Sequence, residues 1–243
     1  MMKPMILIWI LMLPVLAAAQ EVNELRPVSV IKENGVKTRA IGPAGGSKAR
    51  AVCSFDREGK LTLWMLTDNE TGKRPQARIT YRYDDKGHPA SALEVDGRDS
   101  LHTVYEYNAA GRLTRKVVRL PDSTIAEMME YAYDPYIEVA STFWGDEEVY
   151  RKDTSVYDAS GHSVRFSGTD LRDSTSTRTW SYAFEKELDA AGRLRRKRTR
   201  SEGKVISVEE FVYDKRGLLL SKETTHSMMG GFKTKELYTY TFY

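Results

Sequence analysis

Cysteine is all but missing. Cys53 stands alone, so no intramolecular disulfide can hold the chain together. Histidine is scarce as well. His88, His102, His162 and His226 show no metal-ligand spacing, and neither a metal nor any other cofactor is expected. No charge sign dominates: 37 Lys and Arg face 34 Asp and Glu. That balance suits a soluble protein and argues against a nucleic-acid partner. Long apolar runs are absent after residue 20. The one run that exists, Met5 to Leu16, follows Lys3 and precedes Ala17-Ala18-Ala19. This is the pattern of a secretory signal peptide over residues 1–19, and the run is short for a membrane span. No cysteine lies near the cleavage site, so no lipid anchor is expected. The chain reads as exported: periplasmic, surface-bound or secreted.

What is abundant is a turn. Tyr107-Asn108-Ala109-Ala110-Gly111-Arg112-Leu113 recurs as Phe55-Asp56…Gly59-Lys60-Leu61, Tyr83-Asp84…Gly87-His88-Pro89, Tyr157-Asp158…Gly161-His162-Ser163, Leu188-Asp189…Gly192-Arg193-Leu194 and Tyr213-Asp214…Gly217-Leu218-Leu219. Tyr133-Asp134-Pro135-Tyr136 is a copy without the glycine. An Asp or Asn side chain accepts from the backbone two residues on, and glycine supplies the left-handed residue that closes a three-residue hairpin loop. Asp56/Gly59, Asp84/Gly87, Asn108/Gly111, Asp158/Gly161, Asp189/Gly192 and Asp214/Gly217 are thus the expected structural turn pairs. The aromatic or leucine positions lie 24 to 31 residues apart, room for two strands and two turns. Asp96-Gly97, Pro121-Asp122, Glu202-Gly203 and Gly230-Gly231 mark links between the hairpins.

Strand faces follow from the alternation. Carrying the pairing straight on from Phe55/Leu61 sets Cys53 against Leu63, buried, and Ala51 against Met65. In the next hairpin it groups Tyr83, Tyr81 and Ile79 with Leu93 and Val95, leaving Arg82, Thr80, Arg78 and Glu94 on a wet face. Ile125 to Tyr133 has good helix formers but fills a strand slot, and reads as strand.

The recurring Tyr-Asp-x-x-Gly-Arg-Leu pattern resembles the YD-repeat (Rhs-type) family of bacterial secreted and surface proteins, from about Phe55 onward. The resemblance implies a β-shell. It supplies no catalytic residue, and the chain ends in repeat-like sequence rather than an effector domain.

The fold class is therefore all-β: one long antiparallel up-and-down meander of repeated hairpins, curled into a barrel-like or half-open shell, since twist accumulates over so many strands. Residues 20–48 form a lead-in and a capping hairpin, Val28 to Glu33 and Val36 to Ile41 flanking Asn34-Gly35; residues 49–243 form the repeat domain. The C-terminal alternation Leu237 to Tyr243 also suits an outer-membrane barrel. Charges on both faces of several strands weigh against that, so membrane insertion is the alternative.

Candidate chemistry is thin. Ser29-x-x-Lys32 and Ser201-x-x-Lys204 match a fragment of penicillin-recognising enzymes without its companion motifs or a helical setting. Gly42 to Lys48 lacks the features of a phosphate loop. His88 and His162 take the slot after the turn glycine and read as solvated. The run Arg193, Arg195, Arg196, Lys197, Arg198 and Arg200 is the strongest local charge. Straight pairing sets Glu187 opposite Arg195, Glu185 opposite Lys197, Phe184 opposite Arg198 and Tyr182 opposite Arg200. The remaining cations would form an anion-binding stripe. Asp99-Ser100, Asp122-Ser123 and Asp173-Ser174 match an O-glycosylation acceptor of exported proteins, and also plain turn chemistry. The function read from the sequence is an exported, non-enzymatic binding or structural module. The partner classes left to it are an acidic glycan or another envelope protein. The alternatives are an outer-membrane barrel and a hydrolase sited in the concave face.

Overall fold

The computed structural model describes residues 28–44, 50–67, 75–97, 99–144, 148–159, 161–172 and 177–243. The expected signal peptide, Gly45 to Ser47 and Ser174 lie outside them. The described residues form a closed antiparallel barrel of sixteen strands in up-and-down order. They are β1 Val36–Pro43, β2 Ala51–Phe55, β3 Leu61–Thr67, β4 Pro75–Tyr83, β5 Pro89–Asp96, β6 Asp99–Tyr107, β7 Leu113–Arg119, β8 Ile125–Asp134, β9 Ile137–Trp144, β10 Glu148–Tyr157, β11 Ser163–Asp170, β12 Arg178–Leu188, β13 Leu194–Ser201, β14 Lys204–Tyr213, β15 Leu219–His226 and β16 Phe232–Phe242. β1 pairs β16 and closes the barrel, with Arg39 opposite Tyr240 and Ile41 opposite Tyr238.

The six Asx-x-x-Gly turns all lie at one end. Their glycines have φ between +75° and +87°. In each, the Asx Oδ1 accepts from the backbone N–H four residues on: Lys60, His88, Arg112, His162, Arg193 and Leu218. Among the described residues, in four turns it also accepts from the residue two on. The glycine-free copy closes with Pro135 and Tyr136, whose φ is +67°, a two-residue turn between Asp134 and Ile137.

Successive hairpins are tied by four turn tyrosines and by Tyr240 of the last strand. Tyr83, Tyr107, Tyr133, Tyr213 and Tyr240 donate to the carbonyls of Leu61, Pro89, Leu113, Leu194 and Leu219, each on the preceding strand, at 2.7–3.0 Å. After four of the turn glycines the next residue covers the ring of a following turn tyrosine. Lys60 lies over Tyr83, Arg112 over Tyr133 and Arg193 over Tyr213, and His88 stacks on Tyr107 at 4.8 Å. His88 is thus packed between units and not simply solvated; its Nδ1 lies 3.1 Å from Asp84.

Two expectations are corrected here. Val28–Glu33 is a helix, α1, and not the first arm of a hairpin. The type I′ turn that Asn-Gly favours needs positive φ at both central residues. Only Gly35 has it, at +58°, and it serves as the left-handed cap of α1. The helix buries Ile31 in a cluster with Val36, Cys53, Phe55 and Leu218, beside the seam.

The second correction concerns register. Each of the six Asx-x-x-Gly hairpins carries a bulge, and one extra residue on the strand after the turn moves every later pair by one. Phe55 does face Leu61, but Cys53 faces Trp64 and Ala51 faces Leu66. Cys53 is fully buried, against Trp64's side of the sheet and not Leu63's. In the next hairpin Ile79 faces Glu94 and Tyr81 faces Ala92, while Leu93 and Val95 face Thr80 and Arg78. Glu94 therefore points inward with buried Ile79, and Leu93 lies on the outer wall.

Candidate functional site

The corrected register defines two walls. The outer wall carries charge: Arg78 on β4, Glu130 on β8 and Lys152 on β10 in mid-strand, and Arg82 on β4, Glu106 on β6 and Arg165 on β11 nearer the Asx-turn end, all outward and exposed. From β12 to β14 it carries an ion-pair lattice. Arg196 bridges Glu187 and Glu210, Arg198 reaches Glu187 at 2.8 Å, and Arg200 pairs with Glu185.

This lattice absorbs the basic run. Glu187 faces Arg196, Glu185 faces Arg198, Phe184 faces Thr199 and Ala183 faces Arg200, one residue off the straight pairing. Arg195 is the exposed bulge residue. Arg193 is held by Asp189 at 2.7 Å, and Lys197 points inward. Glu209 and Glu210 on β14 take up the cations that the hairpin's own carboxylates leave over. The six residues do not form one cationic stripe.

The inner wall is polar in two fields. On β13 to β16 a ladder runs Lys197–Glu209–Lys222–Glu236, with gaps of 3.7, 4.0 and 3.3 Å. Alternating signs across neighbouring strands neutralise it internally. Beside the seam, Arg39 is 6 % exposed, donates to Cys53 Sγ at 3.1 Å and lies between the rings of Phe55 and Tyr238.

The second field spans β4 to β10; inward tyrosines were expected there, but not the buried carboxyls and ammonium among them. Tyr81, Tyr105 and Tyr131 sit two residues before the turn tyrosines, in a Tyr-x-Tyr-Asx pattern on three successive hairpins. Small residues lie across from them: Ala92 opposite Tyr81, Ala140 opposite Tyr131. Lys116 stands opposite Tyr105 and Met129, and Glu127 opposite Val118. Lys116 is 5 % exposed. Burial pulls its ammonium below the usual lysine range, against the fields of Glu127 and Glu94. Burial pushes the carboxyls of Glu94 and Glu138 up, and the phenol of Tyr105 to about 12. Tyr150 donates to Glu127 at 2.9 Å, and Tyr157 to Glu138 at 3.5 Å. Farther along, Arg151 lies 2.7 Å from Asp153 and over the Trp180 ring. A cleft of about 360 Å³ opens at the Asx-turn mouth above this field, lined by Asp84, Lys86, His88, Ala90, Tyr105 and Tyr107. The Tyr-x-Tyr-Asx spacing was the available signal. The bulge hid that Glu94 shares the face.

The remaining sequence candidates are dispersed. Ser29 and Lys32 do lie on a helix, α1, but Lys32 turns to Glu58 at the surface. Ser100 opens β6, and Ser123 sits exposed in the β7–β8 turn at φ +70°. Among the described residues no three His, Cys, Asp or Glu side chains cluster as metal ligands.

No family model and no curated protein matches the chain. Among solved structures it is similar to a porin-like protein from Bacteroides uniformis ATCC 8492, at 10% identity over 86% of this chain and 97% of that one, TM-score 0.46. A porin-like protein from Bacteroides vulgatus ATCC 8482 is similar at 9% identity over 70% and 95%, TM-score 0.43. The TcdB2-TccC3-Cdc42 structure is similar at 16% identity over 68% of this chain and 10% of that one, TM-score 0.29.

Proposed function

We propose that this protein is an exported, water-facing β-barrel that binds a small polar ligand inside its wall, in the tyrosine field of β4 to β10. The observation that carries the reading is the division of labour between the walls. Charged side chains stand on the outer wall of most strands from β4 to β15, in mid-strand at Arg78, Glu130, Lys152, Arg198 and Glu223, where a lipid-facing barrel needs an apolar band. Each Arg or Lys at the bilayer midplane would cost about 2–4 kcal/mol. The inner wall instead gathers tyrosines, buried carboxyls and one buried ammonium beneath an open cleft. Pockets that combine ring faces with a few convergent polar groups of perturbed pKa are the usual form of a ligand site.

A second reading is an outer-membrane barrel. An even number of antiparallel strands in up-and-down order around a polar interior favours it, and such barrels share those features. The naming of two similar structures as porin-like points the same way. One experiment separates the two. The chain from Gln20 onward is expressed without detergent and examined by light scattering. A monodisperse monomer with β-rich circular dichroism is expected. Aggregation that only detergent relieves would establish the membrane reading instead.

A further inference from the structure

We infer that the ligand of the β4–β10 interior is a neutral, polyhydroxylated molecule, a carbohydrate in chemical class; this rests on the reading of that interior as a binding site. Three features of the field select the class. First, both charge signs are present and held apart. Among the described residues Lys116 has no carboxylate within ion-pair distance, although it lies in the field of Glu94 and Glu127 on either side. A free cation would meet the Lys116 ammonium, and an anion would meet Glu94, Glu127 and Glu138. A hydroxyl both donates and accepts, so one polyol can answer the ammonium and the carboxylates together.

Second, the polar groups are under-used. Lys116 is 95% removed from solvent without a hydrogen bond to another described residue, and the same holds for the hydroxyls of the half-buried Tyr81 and Tyr105. Glu127 Oε1 is buried and unpaired, although Oε2 accepts from Tyr150. Leaving buried polar groups unmet is costly, and a ligand that meets them recovers that cost. Third, the rings of Tyr81 and Tyr131 lie across from alanines and not from bulky side chains. The C–H face of a sugar ring packs on rings of this kind, and the cleft at the mouth, lined by Tyr105 and Tyr107, is of small-molecule size.

The test titrates the chain from Gln20 onward with maltotriose, cellotriose and chitotriose as neutral probes, trigalacturonate as an acidic probe and spermidine as a cationic one. Saturation-transfer NMR detects binding and calorimetry measures it. At least one neutral trisaccharide is expected to bind. Tyr105→Phe should weaken it several-fold, and Lys116→Met by about ten- to a hundredfold, the loss of a charge-assisted hydrogen bond. Thermal melts of both variants are run alongside. Removal of an unpaired buried charge should leave Lys116→Met as stable as wild type or more so, so a drop in stability with unchanged binding would overturn the inference. So would binding of trigalacturonate or spermidine alone, or of no probe. Should the chain require detergent, the titration is repeated in micelles: the water-facing reading then fails on the scattering, and the ligand class still stands or falls on the sugars.

Discussion

Glycine shows how unequal one residue type can be in this barrel. Gly59 and Gly192 occupy equivalent turn positions at φ +77° and +75°. A Cβ at Gly192 meets nothing within 4 Å, whereas one at Gly59 would stand 2.6 Å from the Val28 carbonyl on α1. Gly192→Ala should therefore cost only the left-handed backbone term, about 1–2 kcal/mol. Gly59→Ala should cost roughly 2–4 kcal/mol, because it also lifts the helix from the turn. Urea unfolding midpoints check the order, and equal losses would mean that α1 does not rest on this turn. Gly168 is a different case. It has no unusual φ, but a Cβ there would stand 2.3 Å from the Trp180 ring and 2.5 Å from Asp153 Oδ1. The turn glycines were legible because their spacing from an Asx residue is chemical. Gly168 was not, because the strand pairing that lays Trp180 across it is long-range. The same limit explains Glu94: face assignment by simple alternation fails once a bulge adds a residue, and only the three-dimensional ladder shows which way the count moved.

Between strands, the unit of cohesion is the tyrosine that reaches back to the hairpin before it. Tyr213→Phe deletes one hydroxyl that donates to Leu194 O at 3.0 Å and leaves the ring under Arg193. It should cost about 1 kcal/mol, while Tyr136→Phe, on a side chain 58 % exposed, should cost nothing measurable. Chemical denaturation of the pair reads the difference. The same belt sets the alkaline limit. Burial pushes the phenols of Tyr83, Tyr105 and Tyr133 up to about 12 from an ordinary 10. Above pH 10 the unfolded chain loses these protons and the folded chain keeps them, so the native state loses stability as pH climbs from 10 towards 12. Tyrosinate absorbance should rise together with the loss of β circular dichroism. Smooth ionisation near pH 10 in an intact barrel would show the phenols open to water. The sequence announced every turn tyrosine but not its partner, since the acceptor carbonyls lie 18 to 22 residues back. It also presented Asn34-Gly35 as a hairpin. One positive φ serves a helix cap as well as two serve a turn, and the packing of Ile31 into the seam cluster is what favoured the helix.

At the scale of the molecule, repeat number and alternation made an antiparallel meander legible and left closed barrel and half-open shell as equals. Closure depends on whether the first and last strands meet, and no local pattern encodes that. The proposed site was less legible still: it draws single residues from seven strands, each unremarkable alone. Closure is directly testable at the seam. Thr38 on β1 stands opposite Thr241 on β16, with their Oγ1 atoms 2.6 Å apart. Tyr243 fastens the same end, its amide donating to Gly35 O and its hydroxyl to Phe55 O. Side chains this close across an antiparallel pair meet the reach of a disulfide. In Thr38→Cys/Thr241→Cys the bond should form on mild oxidation, because native Cys53 is fully buried and does not compete. The new link would join residues 203 apart in sequence. For a loop of that length the chain-entropy model gives about 5 kcal/mol at most, less whatever structure the unfolded chain retains. The oxidised variant should unfold at higher denaturant than the wild type, and reduction should return it to the wild-type midpoint. A half-open shell would hold these two strands apart, so both introduced thiols would stay free to label in the native protein, and the closed barrel would be wrong.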